Sequence, residues 1–411
     1  MNYNTFTLDN GLRVIHLPSD SDVTYCGIAV KAGTRDEEPG EEGLAHFCEH
    51  LSFKGTERRS AMQIINAIEG LGGELNAFTN KEDTIFYCAI QSKHFKRAAD
   101  VLTDIVFHST YPQHEVEKER EVVCDEIESY EDTPAELIFD EFENIVFGGH
   151  PLGHNILGTA ERVRHYTSED VRRFTRRHYR PENCVFFLRG NEKAESEIWK
   201  RIGSNQCGTE SEKTETSNAN KAFPLRPLPS SPIIRKRGTH QAHVILGTRA
   251  YAAGTPQRWA LYLLNNIIGG PGLNSRLNLA LRERNGLVYT VESSMVCYGD
   301  TGSWCIYFGC DPHDVKRCQR LVRRELDKLM HAPLSASRLC KAKQQLQGQL
   351  AIASDNREQF ALDFARNYLH TGKTRDLNDI MRHIDHLTVD DLQRTAQEIF
   401  SEDRMITLIY E

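Results

Sequence analysis

The chain has 411 residues, of which 39% are hydrophobic and 26% are charged, and its formal net charge is −8. A globular chain of this length can bury two or three cores without the help of disulfides. The acidic balance argues against nucleic acid as the main partner, and no apolar run approaches the ~20 residues of a membrane span.

The N-terminal segment predicts a β-hairpin, in which the turn Asp9-Asn10-Gly11 leads into a strand from Leu12 to Leu17. No basic start or apolar stretch typical of a secretion signal comes before the turn. The eleven cysteines are scattered without a Cys-x-x-Cys pair, which indicates a reducing compartment rather than a disulfide scaffold. We therefore expect a cytoplasmic protein with no membrane partner.

The helix predicted over 43–53 carries the motif His46-Phe47-Cys48-Glu49-His50. Residues four apart on an α-helix differ by only about 40° around its axis. His46 and His50 therefore share one face and can bind one metal ion, as in the inverted zinc motif. Glu49 flanks that face and can reach a catalytic water without being a ligand. The alternative is a helix with two surface histidines and a solvated glutamate, and the motif alone does not decide.

A third ligand has to come from elsewhere, because catalytic zinc sites usually have three protein ligands and one open position. The helix predicted over 113–130 is rich in carboxylates. Most of these acidic residues fit a solvated helix face. Glu119 and Glu126 stand seven apart and lie on one side of the helix, and physical reasoning leaves the choice between them open.

The chain divides into two halves, which we place at 1–205 and 233–411 with a Ser/Thr- and Pro-rich linker at 206–232. The halves look like distant copies, since the helix start at Thr167 recurs 221 residues later at Thr388. Where the first half has its motif, the second has Leu261, Leu264 and Asn265. We therefore expect a metal-binding catalytic half and a homologous half without metal.

Strands and helices fall in separate runs, which favours an α+β fold over a βαβ alternation. We expect two structurally related α/β-sandwich halves, each an antiparallel-rich sheet covered by helices. The other predicted strands are 24–32, 83–90, 242–247 and 302–310, and the other predicted helices are 61–71, 94–107, 257–268 and 336–352.

The chain resembles the pitrilysin/insulinase superfamily of zinc peptidases, in the branch near mitochondrial processing peptidase. The resemblance covers essentially the whole chain. It rests on several separate motifs, which are Asp9-Asn10-Gly11-Leu12, Gly43-Leu44-Ala45 with the five motif residues, Asn76-Ala77-Phe78-Thr79, Glu119 to Ile127, His150-Pro151-Leu152-Gly153, Leu157-Gly158-Thr159 and Tyr179-Arg180-Pro181-Glu182-Asn183.

The resemblance implies a role for each matching residue. Glu126 matches the family's third metal ligand, and Glu119 matches a second carboxylate that supports the site. In the second half, Arg282 and Tyr289 follow a glycine-rich loop at 269–272 and match a pair that contacts the substrate backbone. An arginine and a phenol are suitable donors to a carbonyl that becomes an oxyanion, and the alternative is a surface arginine and a core tyrosine.

The resemblance also implies one Zn²⁺ per chain, an extended peptide substrate and a homodimer with composite sites. In such a dimer His46, His50, Glu49 and Glu126 come from one subunit and the arginine–tyrosine pair from the other. We expect an endopeptidase in which Glu49 is the general base. The alternatives are a non-catalytic core-type scaffold, a metal-binding module and one subunit of a heterodimeric peptidase.

Overall fold

The computed structural model describes residues 3–191, 197–204, 225–373 and 376–411. They form two compact units, and each unit has one β-sheet with a hydrophobic core on either face. The predicted α+β class with two related halves is confirmed. Of the predicted linker, only 225–232 falls within the described residues.

Eleven strands among the described residues make up the two sheets. They are β1 (Asn4–Thr7), β2 (Arg13–Pro18), β3 (Val23–Val30), β4 (Glu74–Thr79), β5 (Thr84–Gln91), β6 (Cys184–Gly190), β7 (Ile233–Arg235), β8 (Ala242–Ala250), β9 (Val288–Cys297), β10 (Gly302–Cys310) and β11 (Ile406–Tyr410).

The α-helices of the described residues cover the faces of these sheets. They are α1 (Leu44–Ser52), α2 (Ala61–Ile68), α3 (Phe95–Phe107), α4 (Gln113–Glu131), α5 (Pro134–Val146), α6 (Ala160–Val163), α7 (Ser168–His178), α8 (Glu197–Ser204), α9 (Arg258–Gly269), α10 (Val315–His331), α11 (Ala336–Ala353), α12 (Arg357–Thr371), α13 (Leu377–His386) and α14 (Val389–Ile399).

The sheet of unit one has the order β1-β2-β6-β3-β5-β4, and only the β2–β6 pair is parallel. Alternate residues of a strand face opposite sides, so Ile28 belongs to the core beneath α1 and α3 while Ala29 belongs to the core beneath α12. Strand β4 lies at the edge. Its last residue, Thr79, is paired with Thr84 across the hairpin.

The sheet of unit two has the order β7-β11-β8-β10-β9, and only the β7–β11 pair is parallel. One face carries a core formed with α9, α10 and α14, and the other face carries a core formed with α5. Apart from the additional β1, this order repeats that of unit one. The repeat extends to the helix starts, because Thr167 and Thr388 each cap a helix through a capping box.

Neither unit is continuous in the chain. Unit one spans Met1–Glu128, His154–Phe223 and Ser354–Arg375, while unit two spans Ser129–Gly153, Pro224–Ala353 and Asp376–Glu411. Helix α12 therefore belongs to unit one and helix α5 to unit two. Helix α5 lies in the first half of the sequence and α12 in the second, so the two halves exchange one helix each. The predicted halves, 1–205 and 233–411, are continuous segments and do not include this exchange.

Most predicted elements agree with the observed bounds to within a few residues. The hairpin at Asp9-Asn10-Gly11 is present, and Gly11 has the positive φ of +87° that its turn requires. Helices α5, α8, α10, α12 and α13 are among those that were not predicted. No helix within the described ranges combines the length and the apolar character needed to cross a membrane.

Candidate metal centre

The start of α1 is fixed by a glycine and by a buried carboxylate. Gly43 has a φ of +94°, and a Cβ there would meet the carbonyl oxygen of Leu157 at 2.6 Å, so only glycine fits. The carboxylate of Glu37 accepts hydrogen bonds from the backbone N–H groups of Gly43 (3.1 Å) and Ala45 (2.8 Å). Since the first N–H groups of a helix lack partners within it, Glu37 anchors the segment that carries the motif.

Glu37 is itself held in place by His154, whose Nε2 lies 2.7 Å from the carboxylate. Burial raises the pKa of Glu37 to about 7, although His154 and the backbone N–H groups oppose the rise. Sequence analysis gave Glu37 no role. An acidic residue shortly before a helix start was the available signal, because the positive end of a helix dipole favours an anion.

His46 and His50 of α1 come together with Glu126 of α4, and the ligand atoms of all three lie within 4.8 Å of one another. Nε2 of His46 lies 3.8 Å from one oxygen of Glu126, and Nε2 of His50 lies 3.5 Å from the other. The two imidazole rings have centroids 4.6 Å apart. The structure thus groups the three side chains for which metal binding was predicted.

This donor set fits a zinc ion. Two imidazoles and one carboxylate are donors that zinc takes in catalytic sites, with bonds of about 2.0–2.2 Å. Tetrahedral bonds of that length place ligand atoms roughly 3.3–3.6 Å apart, close to the separations measured here. The side chain of Glu126 is 43% exposed whereas that of His46 is 9% exposed, so the group opens to solvent on the side of Glu126.

His46 is neutral, which is the form in which imidazole binds a metal. Burial, together with the smaller effect of neighbouring His50, lowers the pKa of His46 to about 3. Nδ1 of His46 is buried and has no hydrogen-bond partner among the described residues. Its Nε2 is therefore the nitrogen available on the side of Glu126.

Glu119 supports His50 from behind. One oxygen of Glu119 lies 3.0 Å from Nδ1 of His50, and the other lies 2.7 Å from Nζ of Lys54. Burial works to raise the pKa of Glu119, but the hydrogen bonds from these two neighbours lower it below its ordinary value. A carboxylate at the far nitrogen of a ligand histidine fixes its tautomer and ring orientation. Lys54 is a contributor that sequence analysis missed.

Glu49 lies on α1 beside the histidines and is 8% exposed. Oγ1 of Thr79 donates a hydrogen bond to Oε2 of Glu49 at 2.7 Å. Burial raises the pKa of Glu49 above its ordinary value, and the hydrogen bond from Thr79 opposes that rise. A carboxylate whose pKa is raised is better suited to take up a proton near neutral pH.

Arg282 and Tyr289 lie near each other in unit two. Arg282 belongs to a π-helical segment, Asn278–Glu283, and π-helical turns are frequent at functional sites. Its guanidinium lies 5.3 Å from the centroid of the Tyr289 ring. Tyr289 is 80% exposed at the beginning of β9, so the alternative of a core tyrosine does not hold.

The positions that correspond to the motif in unit two have structural neighbours. Leu261 and Leu264 are buried in the core beneath α9, and Asn265 accepts a hydrogen bond from the indole N–H of Trp304 at 3.1 Å. Elsewhere in this unit, ligand atoms of a surface trio lie within 4.8 Å of one another. The trio is Asp311, His313 and Asp314, and exposed acidic groups often cluster in this way without an ion.

Sequence comparisons match nearly the whole chain to known proteins. Residues 14–160 match the family model described as Insulinase (Peptidase family M16), and residues 165–346 match the model of the Peptidase M16 inactive domain. An uncharacterized zinc protease of Bacillus subtilis is 31% identical over 98% of this chain and 97% of its own length. An uncharacterized zinc protease of Streptomyces coelicolor is 33% identical over 98% of this chain and 88% of its own.

Solved structures show the same fold. A protease from Helicobacter pylori superposes with a TM-score of 0.88 at 23% identity, over 100% of this chain and 99% of its own. The peptidase M16 inactive domain from Pseudomonas fluorescens superposes with a TM-score of 0.86 at 19% identity, over 100% of this chain and 98% of its own.

Proposed function

The chain belongs to the insulinase family of peptidases, and we propose that it is a zinc metalloendopeptidase that cleaves peptides or unfolded protein segments. One observation carries the proposal. His46, His50 and Glu126 present ligand atoms to a common point, and the buried carboxylate of Glu49 lies on the same helix. Relatives that share nearly the whole chain are named zinc proteases, which supports zinc as the metal.

In this proposal His46, His50 and Glu126 hold one zinc ion per chain. A zinc ion bound there would supply a Lewis acid that polarises the scissile carbonyl and lowers the pKa of a bound water. Glu119, itself paired with Lys54, keeps His50 in the orientation in which its Nε2 faces Glu126.

Glu49 acts as the general base and then as the general acid. It takes a proton from the attacking water, whose oxygen bonds to the peptide carbonyl carbon, and it passes that proton to the leaving amine as the C–N bond breaks. The water-poor setting of Glu49 suits both steps, because burial raises its pKa. The donors of Arg282 and Tyr289 are proposed to stabilise the oxyanion.

The substrate is proposed to bind as an extended strand along the edge of unit one. Strand β4 is the last strand of its sheet, so its outer backbone groups can accept another strand. Strand β4 ends at Thr79, whose hydroxyl contacts the carboxylate of Glu49. An extended backbone is a property of unfolded segments, so folded proteins would be poor substrates.

We further propose that the active form is a homodimer in which Arg282 and Tyr289 act on a substrate bound at the partner's metal. This part of the proposal rests on the family resemblance. It makes each active site depend on two copies of the chain.

The test is metal content together with cleavage of a peptide library, with and without a chelator. We expect about one zinc per chain and cleavage that is lost on chelation and restored by added zinc. Glu49→Gln should keep the metal and lower kcat by a factor of about 10²–10⁴, the usual contribution of a general base. Cleavage that persists in the metal-free protein would refute the proposal, as would a Glu49→Gln variant with full activity.

A further inference from the structure

Thr79 makes the one hydrogen bond that the side chain of Glu49 forms among the described residues, at 2.7 Å. Both residues are 8% exposed, so bulk water is largely kept from this contact. A carboxylate on a flexible side chain has several rotamers, and a single directed hydrogen bond selects among them. The contact therefore determines where the Glu49 carboxylate points.

The hydroxyl of Thr79 is itself in a fixed position. Thr79 ends β4 and is paired with Thr84, the first residue of β5. The connecting turn is held by neighbouring backbone, because the N–H groups of Thr34 and Arg35 donate to the carbonyl oxygens of Asn80 (3.2 Å) and Lys81 (2.8 Å). β-Branched side chains also have few χ1 rotamers. Motion of the hydroxyl would require motion of the hairpin end.

A threonine hydroxyl can serve both protonation states of the carboxylate. It has one proton to donate and two lone pairs to accept with. With Glu49 ionised, Thr79 donates to it. With Glu49 protonated, Thr79 can accept from it and turn its own proton toward Oγ1 of Thr84, which lies 3.4 Å away. Thr84 can accept there because its own proton goes to the carbonyl oxygen of Ala32 at 2.9 Å.

We propose that Thr79 is a positioning residue that aligns the Glu49 carboxylate with the strand on which the substrate binds. This inference rests on the proposed function, in which Glu49 is the base and β4 receives the substrate. Thr79 ends the edge strand and also holds the Glu49 carboxylate, so the position of the base is fixed relative to that strand. A peptide bound along β4 would therefore lie at a constant distance from the Glu49 carboxylate.

The experiment compares Thr79→Val with Thr79→Ser in the full-length protein. Valine keeps the shape and removes the hydrogen bond, whereas serine keeps the hydroxyl. We expect Thr79→Val to lower kcat 10- to 100-fold with KM changed less than threefold, and Thr79→Ser to keep kcat within about threefold of wild type. Zinc content and the visible spectrum of the cobalt-substituted protein should be the same in all three, since Thr79 contacts no metal ligand.

Thr103→Val is the matched control. Thr103 is also buried, and its hydroxyl donates to the carbonyl oxygen of Ala99 in its own helix. It should leave kcat, KM and zinc content unchanged. The positioning role is wrong if Thr79→Val keeps wild-type kcat while Glu49→Gln is inactive, or if its loss of kcat is matched by loss of zinc. Full activity of Glu49→Gln would instead overturn the base assignment, and with it this inference.

Discussion

The support that Glu119 gives to His50 can be tested by replacing Glu119 with glutamine. The carboxylate serves two donors at once, Nδ1 of His50 at 3.0 Å and Nζ of Lys54 at 2.7 Å. An amide has one acceptor oxygen, so one donor loses its partner in a site where the Glu119 side chain is only 6% exposed. A hydrogen bond to a charged group contributes about 1.5–3 kcal/mol. If this loss falls on the His50 contact, zinc affinity should fall about 10- to 100-fold, which is also typical for partners of ligand histidines.

Zinc dissociation constants should be measured by competition with a chelating dye at pH 7.5, on protein whose fold is checked by circular dichroism. Glu121→Gln is the matched control, because Glu121 lies on the same helix and is exposed. We expect the control to bind zinc as the wild type does. A Glu119→Gln dissociation constant within twofold of the control would refute the reasoning, since it would show that His50 needs no carboxylate behind it.

Three further outcomes are expected. Mixing inactive His46→Ala with inactive Arg282→Ala should restore up to a quarter of wild-type cleavage if sites are composite, and no recovery after verified subunit exchange would argue against the dimer. Gly158→Ala should lower the free energy of unfolding by about 1–3 kcal/mol in urea titrations, because φ is +70° and the new Cβ would lie 2.8 Å from Cα of Gly43. Gly70→Ala has open space and should be nearly neutral. Burial works to raise the pKa of Asp83, but hydrogen bonds and charge from His370 and Arg366 lower it below its ordinary value. The ionised Asp83 therefore stabilises the folded state at pH values above its unfolded-state pKa of about 3.9. This stabilisation is lost as the pH falls through the folded-state pKa. The destabilisation by Asp83→Asn at pH 7 should therefore shrink toward pH 3, and a constant difference would contradict the linkage.

Local sequence patterns predicted much of the fold and the helix that bears His46 and His50. The spacing of His46 and His50 on one helical face follows from 3.6 residues per turn, and the helix predicted at 94–107 begins one residue before the observed α3. Spacing along one helix could not distinguish Glu119 from Glu126. They differ in their contacts: Glu119 meets a histidine Nδ1 and a lysine, whereas Glu126 meets two histidine Nε2 atoms. The family resemblance assigned Glu126 as the metal ligand and Glu119 as the supporting carboxylate, a choice that sequence spacing left open.

Contacts between distant segments could not be predicted from local sequence patterns. Thr79 was quoted only as part of a motif, because nothing in the spacing of residues 49 and 79 indicates that their side chains meet. Glu37 was overlooked although an acidic residue shortly before a helix start was an available signal. The exchange of α5 and α12 depends on which sheet each helix covers, and an apolar face such as that of Ala361 and Ala365 is compatible with either sheet.

The exchanged helix has a consequence for the nascent chain on the ribosome. The outer face of the first sheet, which includes Ile15, Ala29 and Val185, is covered by α12, yet the last strand of that sheet ends at Gly190. The ribosome must add about 180 more residues before α12 is complete, which takes roughly 10–40 s at bacterial-type rates of about 5–20 residues per second. During that interval an apolar sheet surface has no partner from its own chain. Newly made protein is therefore expected to depend on chaperones that shield such surfaces, and fragments that stop before residue 357 are expected to aggregate.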